Sequence, residues 1–214
     1  LLAGGLDICF TNPGTSEMHF VAALDKVPGM RCVLGLFEGV LTGAADGYYR
    51  MAGKPASTLL HLGPGLANGL ANLHNAKKAN SGVVNVVGEH TTYHIKHDAP
   101  LTSDIEGVAR PMSHWVRTSL SSLDVAADGA AAIEAATQAP GQIATVILPA
   151  DTAWGPAEKV VTARPTPPRA KVNESAVKGA AEMLSNGKKT TLLLAGPALK
   201  EEGLQIAGRI AGKL

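Results

Sequence analysis

Short apolar runs recur along the chain with helical stretches between them, and this alternation limits the folds open to it more than any other feature. Ile8-Cys9-Phe10, Arg31-Cys32-Val33-Leu34, Thr58-Leu59-Leu60-His61, Val83-Val84-Asn85-Val86-Val87 and Ile143 to Leu148 are bounded by Gly, Pro or Asn. Continuous runs of this length read as strands buried on both faces. Small and apolar residues recur near helical period over Glu17 to Lys26, Glu38 to Met51, Leu66 to Ala79 and Val125 to Gln138. Strand and helix in turn predict an α/β fold, an open, mainly parallel sheet with helices on both faces. A sixth strand is expected at His114-Trp115-Val116-Arg117, after a short polar helix over Asp104 to Arg110 and the break at Pro111.

The pattern lapses from Ala150 to Val172, where Pro156, Pro165, Pro167 and Pro168 stand among scattered charges. The expected organisation is a first domain over 1–160, a linker over 161–173 and the truncated start of a second α/β domain over 174–214. In that last part Glu174 to Leu184 reads as helix, Thr190 to Ala195 as strand, Gly196-Pro197 as a turn and Leu199 to Ile210 as helix. About 40 residues of this kind bury too little to stand alone. At the other end, Leu1-Leu2-Ala3-Gly4-Gly5 reads as the last turn of a helix closing on glycines, so an upstream segment is expected.

Composition excludes several classes. Lys+Arg 19 against Asp+Glu 18, with 4% aromatic residues and no basic run, argues against nucleic acid as a partner. No apolar stretch approaches the roughly 20 residues that span a bilayer, and no signal peptide opens the chain, so a cytoplasmic protein without a membrane partner is expected. Cys9 and Cys32 both lie in apolar runs and are expected as buried free thiols.

In a parallel sheet, ligands sit just beyond the carboxyl ends of strands. Four such turns carry chemistry. Thr11-Asn12-Pro13-Gly14-Thr15-Ser16-Glu17 is a tight turn into a helix, with Glu17 favourably placed against the helix dipole. In Leu34-Gly35-Leu36-Phe37-Glu38-Gly39-Val40-Leu41 one carboxylate stands in an apolar run; it either has a raised pKa and a donor partner, or lies partly open at a helix start. His61-Leu62-Gly63-Pro64-Gly65-Leu66-Ala67-Asn68 places a histidine at a strand end before a Gly-Pro-Gly turn that could cradle a phosphate, without P-loop or dinucleotide spacing. His90, His94 and His97 have the spacing of a helical metal site, but Thr91-Thr92-Tyr93 and Asp98-Ala99-Pro100 favour a polar loop, so no metal ligand is assigned. Asp46 and Arg50 are expected to form a solvated i, i+4 contact.

Taken in order, Asn12-Pro13-Gly14-Thr15-Ser16-Glu17, Phe37-Glu38-Gly39 with Ala44-Ala45-Asp46-Gly47-Tyr48, His61 with Gly63 to Asn68, and Asp98-Ala99 through Asp104-Ile105 to Arg110-Pro111 resemble the thiamine diphosphate-dependent 2-keto acid enzymes. The match covers residues 1 to about 160 and resembles that family's N-terminal pyrimidine-binding domain. The resemblance implies thiamine diphosphate as cofactor and a 2-keto acid as substrate. Glu38 matches the glutamate that hydrogen-bonds the aminopyrimidine ring and favours the imino form that takes the thiazolium C2 proton. Asn12, Pro13, Gly14 and Asn68 would line the cofactor pocket. The pattern of Asn-Pro-Gly, a hydroxyl residue, Glu and a later His is most similar to benzoylformate decarboxylase, where a serine stands at the position of Thr15. Thr15 would then bind the substrate carboxylate and His61 would move protons. The stretch Asp98 to Pro111 resembles acetolactate synthase instead, with Pro100-Leu101-Thr102 in place of the usual Phe-Gln-Glu.

The family holds Mg²⁺ and the diphosphate through a C-terminal Gly-Asp-Gly motif and a following Asn, and none occurs between Leu1 and Leu214. The chain alone is therefore expected to be inactive, with a second subunit of the same protein supplying that domain in a homo-oligomer. A flavin (FAD) in the central domain is neither implied nor excluded. Two other readings stand beside the decarboxylase: an acetolactate synthase-type carboligase, and, in a different class, a stand-alone non-catalytic binding subunit. A nucleotide-binding protein using Gly63 to Asn68 is a further one.

Overall fold

All six strands form and join one sheet: β1 (Ile8–Asn12), β2 (Arg31–Leu34), β3 (Ala56–Leu60), β4 (Val83–Glu89), β5 (Trp115–Thr118) and β6 (Ile143–Pro149). The order is β2-β1-β3-β4-β6-β5 and every pairing is parallel. Each connection therefore crosses a face of the sheet. The structure is a computed structural model that describes residues 1–166, 168 and 170–214; Pro167 and Arg169, inside the expected linker, lie outside the described residues. Two units divide the chain, Leu1–Pro167 and Pro168–Leu214.

In the first unit α2 (Glu38–Ala52), α3 (Leu62–Lys78) and α4 (Ile105–Ala109) cover one face, while α1 (Met18–Lys26), α5 (Val125–Thr137) and α6 (Ala150–Trp154) cover the other. Successive strand residues point to opposite faces. Val83, Val87, Ile143 and Ile147 accordingly meet Leu41, Leu66 and Leu73 on one side. Val84, Ala144 and Val146 meet Ala132, Ile133 and Ala136 of the alanine-rich α5 on the other. Fully buried leucines such as Leu59, Leu60 and Leu66 each contribute about 1.5–3 kcal/mol.

A polar row crosses this core. Thr58, Asn85 and Thr145 are in register on β3, β4 and β6. Thr58 Oγ1 donates to Asn85 Oδ1 (2.8 Å), Asn85 Nδ2 donates to Thr145 Oγ1 (3.1 Å), and Ser113 Oγ lies 2.7 Å from the same hydroxyl. Because all three strand residues are fully buried, any slip in register would strand these groups without partners.

The structure departs from the sequence expectations at β2, at Cys32, at Asp46 and at Ala150. The edge strand β2 is not buried on both faces: Leu34 is 68% exposed and Cys32 is exposed, because an edge strand has one neighbour and lies beyond the helices. Cys9, on the inner β1, is the buried thiol, and burial pushes its pKa up to about 12. The Asp46–Arg50 contact is not simply solvated. Arg50 binds Asp46 through Nε (2.8 Å) and Nη2 (2.7 Å), and the Ser81 hydroxyl donates to the same carboxylate, which the β3–β4 side of the fold has buried. Ala150 does not begin an irregular stretch either, since β6 passes directly into α6.

At the start of the chain, Leu2–Gly4 form a 3-10 turn closed by Gly5 at φ 87°, the left-handed conformation that glycine adopts freely. Near the end of the first unit, Ala163 packs beside Ile133, and the Arg164 N–H donates to Glu134 (2.7 Å).

The second unit holds α7 (Glu174–Leu184), a 3-10 turn over Gly196–Leu199 and α8 (Glu201–Ala211). Asn173 caps α7 by accepting from the Ser175 and Ala176 N–H groups. The strand expected over Thr190 to Ala195 does not form, and Leu193 is 96% exposed. A β-strand is held by its ladder, and among its described residues this unit offers no second strand to pair with. Among the described residues no helix is long and apolar enough to cross a membrane.

Candidate active site

From β1 the chain goes outward to the edge strand β2 and returns past β1 to β3. The crevice beyond the carboxyl ends of β1 and β3 is thus a switch point of the sheet, where neighbouring connections leave on opposite faces. All the candidate residues from the first three turns belong to segments that follow β1, β2 or β3.

Beyond β1, Asn12 Nδ2 donates to the Gly35 carbonyl (2.9 Å) and ties the end of β1 to that of β2. Thr15 and Ser16 open a 3-10 turn over Thr15–Glu17, with Thr15 exposed and its hydroxyl unpaired among the described residues. Glu17 stands at the N-cap of α1, as its placement against the helix dipole implied, but it is buried there. Its side chain is 1% exposed and folds back so that Oε2 accepts from the Gly14 N–H (2.7 Å) and meets His61 Nδ1 (2.8 Å). Gly14 has an extended backbone that any residue adopts, yet a Cβ there would sit 2.4 Å from the His61 ring. Glycine is needed because the imidazole lies flat against its Cα.

Beyond β3 there is no loop. His61 is extended, Leu62 takes φ 54°, and α3 begins at Leu62. A non-glycine residue in the left-handed region costs about 1–2 kcal/mol. Leu62 is held there by its own burial, at 1% exposure, and such strain is typical of functional turns. The Gly63-Pro64-Gly65 stretch, which could cradle a phosphate, is therefore not a separate loop. These residues are the first turn of α3, and the Gly65 N–H is already spent on the His61 carbonyl (2.8 Å). Their small size serves packing instead, as a Cβ on Gly63 would strike the Ser103 hydroxyl.

Glu38 is the first residue of α2, half-buried. Of the two states expected for it, the structure combines a donor partner with partial exposure. Asn68 Nδ2, almost two turns into α3, donates to Glu38 Oε2 (3.0 Å), and Oε1 has no partner among the described residues. The two helices are locked to each other around this point, with Thr42 Oγ1 donating to the Gly69 carbonyl (3.0 Å) and Asn72 Nδ2 to the Gly39 carbonyl (2.6 Å). A Cβ on Gly65 would stand 3.3 Å from Glu38 Oε1 and 3.5 Å from His61 Cβ. Gly65 thus lets the carboxylate and the histidine share one small space. Around Glu38, Leu36, Phe37 and Val40 are exposed at 94%, 49% and 61%.

The structure brings Gly14, Glu17, His61, Glu38 and Asn68 together. Asn12 is committed to Gly35, and Thr15 stands at the rim. Sequence reasoning missed the role of Glu17, although its spacing of three from Gly14 is that of a capping box and was the available signal. It also passed over Glu89, buried at the end of β4, whose carboxyl is pushed above the ordinary carboxylate range by burial. The histidine stretch 90–97 is a turn, with the His94 ring centre 5.7 Å from that of His90 and 5.5 Å from that of His97. Asp151 pins it by accepting from the Thr92 N–H (2.9 Å) and hydroxyl. Among the described residues no group of three His, Cys, Asp or Glu side chains is arranged to hold a metal ion.

A parallel α/β sheet with an acid and a histidine gathered at its switch point defines a small-molecule-binding domain. Residues 1–108 match the thiamine pyrophosphate enzyme N-terminal TPP-binding domain, and the chain belongs to that family. It is 55% identical, over 98% of its length, to Mycobacterium tuberculosis IlvX, provisionally named an acetolactate synthase large subunit. It is also 32% identical over 69% of its length to the benzoylformate decarboxylase of Pseudomonas aeruginosa. The chain spans 40% and 28% of these two proteins. Among solved structures, the thiamine diphosphate-dependent 4-hydroxybenzoylformate decarboxylase of Rhodococcus jostii superposes with a TM-score of 0.78 at 26% identity, over 86% of this chain and 35% of that one. The residues fit the pyrimidine half of thiamine diphosphate, since Glu38 offers one unpaired carboxylate oxygen among apolar side chains. They do not fit its diphosphate and metal, for which no ligand cluster is present among the described residues.

Proposed function

We propose that this chain is the pyrimidine-holding N-terminal part of a thiamine diphosphate-dependent enzyme that decarboxylates 2-keto acids without oxidation, in the manner of a benzoylformate decarboxylase. The observation that carries the reading is that the Glu38 carboxylate and His61 both lie beside Gly65, with one carboxylate oxygen held by Asn68 and the other without a partner among the described residues. When bound, the cofactor supplies a carbon nucleophile and takes up the electrons left when carbon dioxide departs.

The chain's own residues do the rest. Glu38 Oε1 shares a proton with a ring nitrogen, and Asn68 keeps the carboxylate aimed. Pro13 and Gly14 wall the pocket, with Asn12 bracing them from behind. Thr15, at the rim, hydrogen-bonds the substrate carboxylate, and His61 carries the proton exchanged as product forms. Mg²⁺ and the diphosphate fall to the C-terminal domain of a second subunit, in a cytoplasmic homo-oligomer.

The identity to IlvX favours a second reading, a carboligase of acetolactate synthase type that passes the decarboxylated fragment to another keto acid. The full-length protein, supplied with thiamine diphosphate and Mg²⁺, distinguishes these by product: an aldehyde from benzoylformate, or acetolactate from pyruvate. Glu38→Gln is expected to lower turnover by at least about 100-fold with the fold retained. Wild-type turnover in that variant overturns the assignment of Glu38, and consumption of neither keto acid by the wild-type protein favours a non-catalytic binding subunit.

A further inference from the structure

We infer that Glu17 is a positioning residue for His61: it holds the imidazole in the tautomer with the proton on Nδ1 and leaves Nε2 as the atom that exchanges a proton with substrate. The inference rests on the decarboxylase reading for its consequence, and on geometry for its substance. Glu17 is 3% exposed. An ionised carboxylate only accepts hydrogen bonds, so the 2.8 Å contact to Nδ1 requires the proton on that nitrogen. His61 Nε2 has no partner among the described residues, and the side chain is 23% exposed, so this nitrogen is the one left for chemistry.

The carboxylate itself is clamped. Oε2 takes the Gly14 N–H, while Oε1 is buried against Gly88, where a Cβ would be 1.5 Å away, with no hydrogen-bond partner among the described residues. A buried carboxylate oxygen left unpaired is costly and does not persist for packing alone. Here the carboxylate gains its compensation from Gly14 and His61, and it holds the ring at Nδ1.

Two measurements test this. In the ¹⁵N-histidine-labelled full chain, nitrogen shifts of neutral His61 are expected to report the Nδ1–H tautomer; an Nε2–H tautomer overturns the inference whether or not any variant folds. In the full-length enzyme, Glu17→Gln is expected to lower kcat about 10- to 100-fold with KM and cofactor affinity within about 2-fold. The double variant with His61→Ala should be no slower than His61→Ala alone, because both act through one atom. Losses that multiply in the double variant would mean that Glu17 acts independently of His61. A wild-type enzyme inactive on both keto acids refutes the proposed function, while the tautomer still decides the role of Glu17.

Discussion

Replacing Gly14 with alanine tests the site's packing without touching a reactive atom. The backbone at Gly14, φ −111° and ψ −158°, is open to alanine, so no conformational strain enters. The new methyl would lie 2.4 Å from His61 Nδ1 and Cε1 and 2.6 Å from Nε2, where ordinary contacts are 3.4–4 Å. The ring must retreat by about 1 Å, which takes Nδ1 beyond hydrogen-bond reach of Glu17 Oε2. Losing a hydrogen bond to a charged, buried group costs about 1.5–3 kcal/mol. Residual overpacking adds about 1–3 kcal/mol, towards the low end because the ring can swing outward. Alanine returns about 0.4–1 kcal/mol by restricting the unfolded chain. The balance is a destabilisation of about 3 kcal/mol. Both tryptophans, Trp115 and Trp154, lie in the first unit, so their fluorescence in a urea titration follows the unit that contains the substitution. With a slope of roughly 2 kcal/mol per molar, the midpoint should fall by about 1.5 M. A change below about 0.3 M would show that the ring does not rest on Gly14 and would refute the account of why glycine stands there.

Two further outcomes are expected. Asn85→Ala removes the acceptor of the buried Thr58 hydroxyl and opens a void in the polar row, and should destabilise the first unit by about 2–4 kcal/mol in the same titration; a loss under about 1 kcal/mol would mean that the row does not hold the register. Burial raises the Glu89 pKa above its unfolded value, so the folded state retains a proton that the unfolded chain gives up. The stability this contributes is complete below the unfolded carboxylate pKa and is lost as pH rises through the folded one. Glu89→Gln should flatten that decline while still accepting from the His90 N–H, and an unchanged slope of unfolding free energy against pH would contradict the shift.

The sheet was legible because strands covered on both faces leave continuous apolar runs, as at Val83 to Val87 and Ile143 to Leu148, and these survive any detail of packing. The pattern could not show which runs lie at an edge. Arg31-Cys32-Val33-Leu34 has the composition of an inner strand, but the chain order puts it at the rim, and Cys32 is exposed as a result. The run at Thr190 to Ala195 has the same local character and forms no strand, since a strand exists only with a neighbour to pair with.

The candidate site divides along the same line. Glu38, His61, Gly14 and Asn68 were visible from the sequence because their turns follow apolar runs and their order along the chain resembles a known family. Glu17 was visible only as an acid favourably placed against the helix dipole. Its meeting with His61, 44 residues away, follows from β1 and β3 lying side by side with the chain's excursion to β2 between them. Sequence alone determined the α/β alternation, the turns that bear chemistry and the family they resemble, since these depend on local periodicity and residue type. The tertiary structure alone decided which carboxylate reaches the histidine, which glycines make room for it and which thiol is buried, because those depend on distances between segments that only the packed sheet brings together.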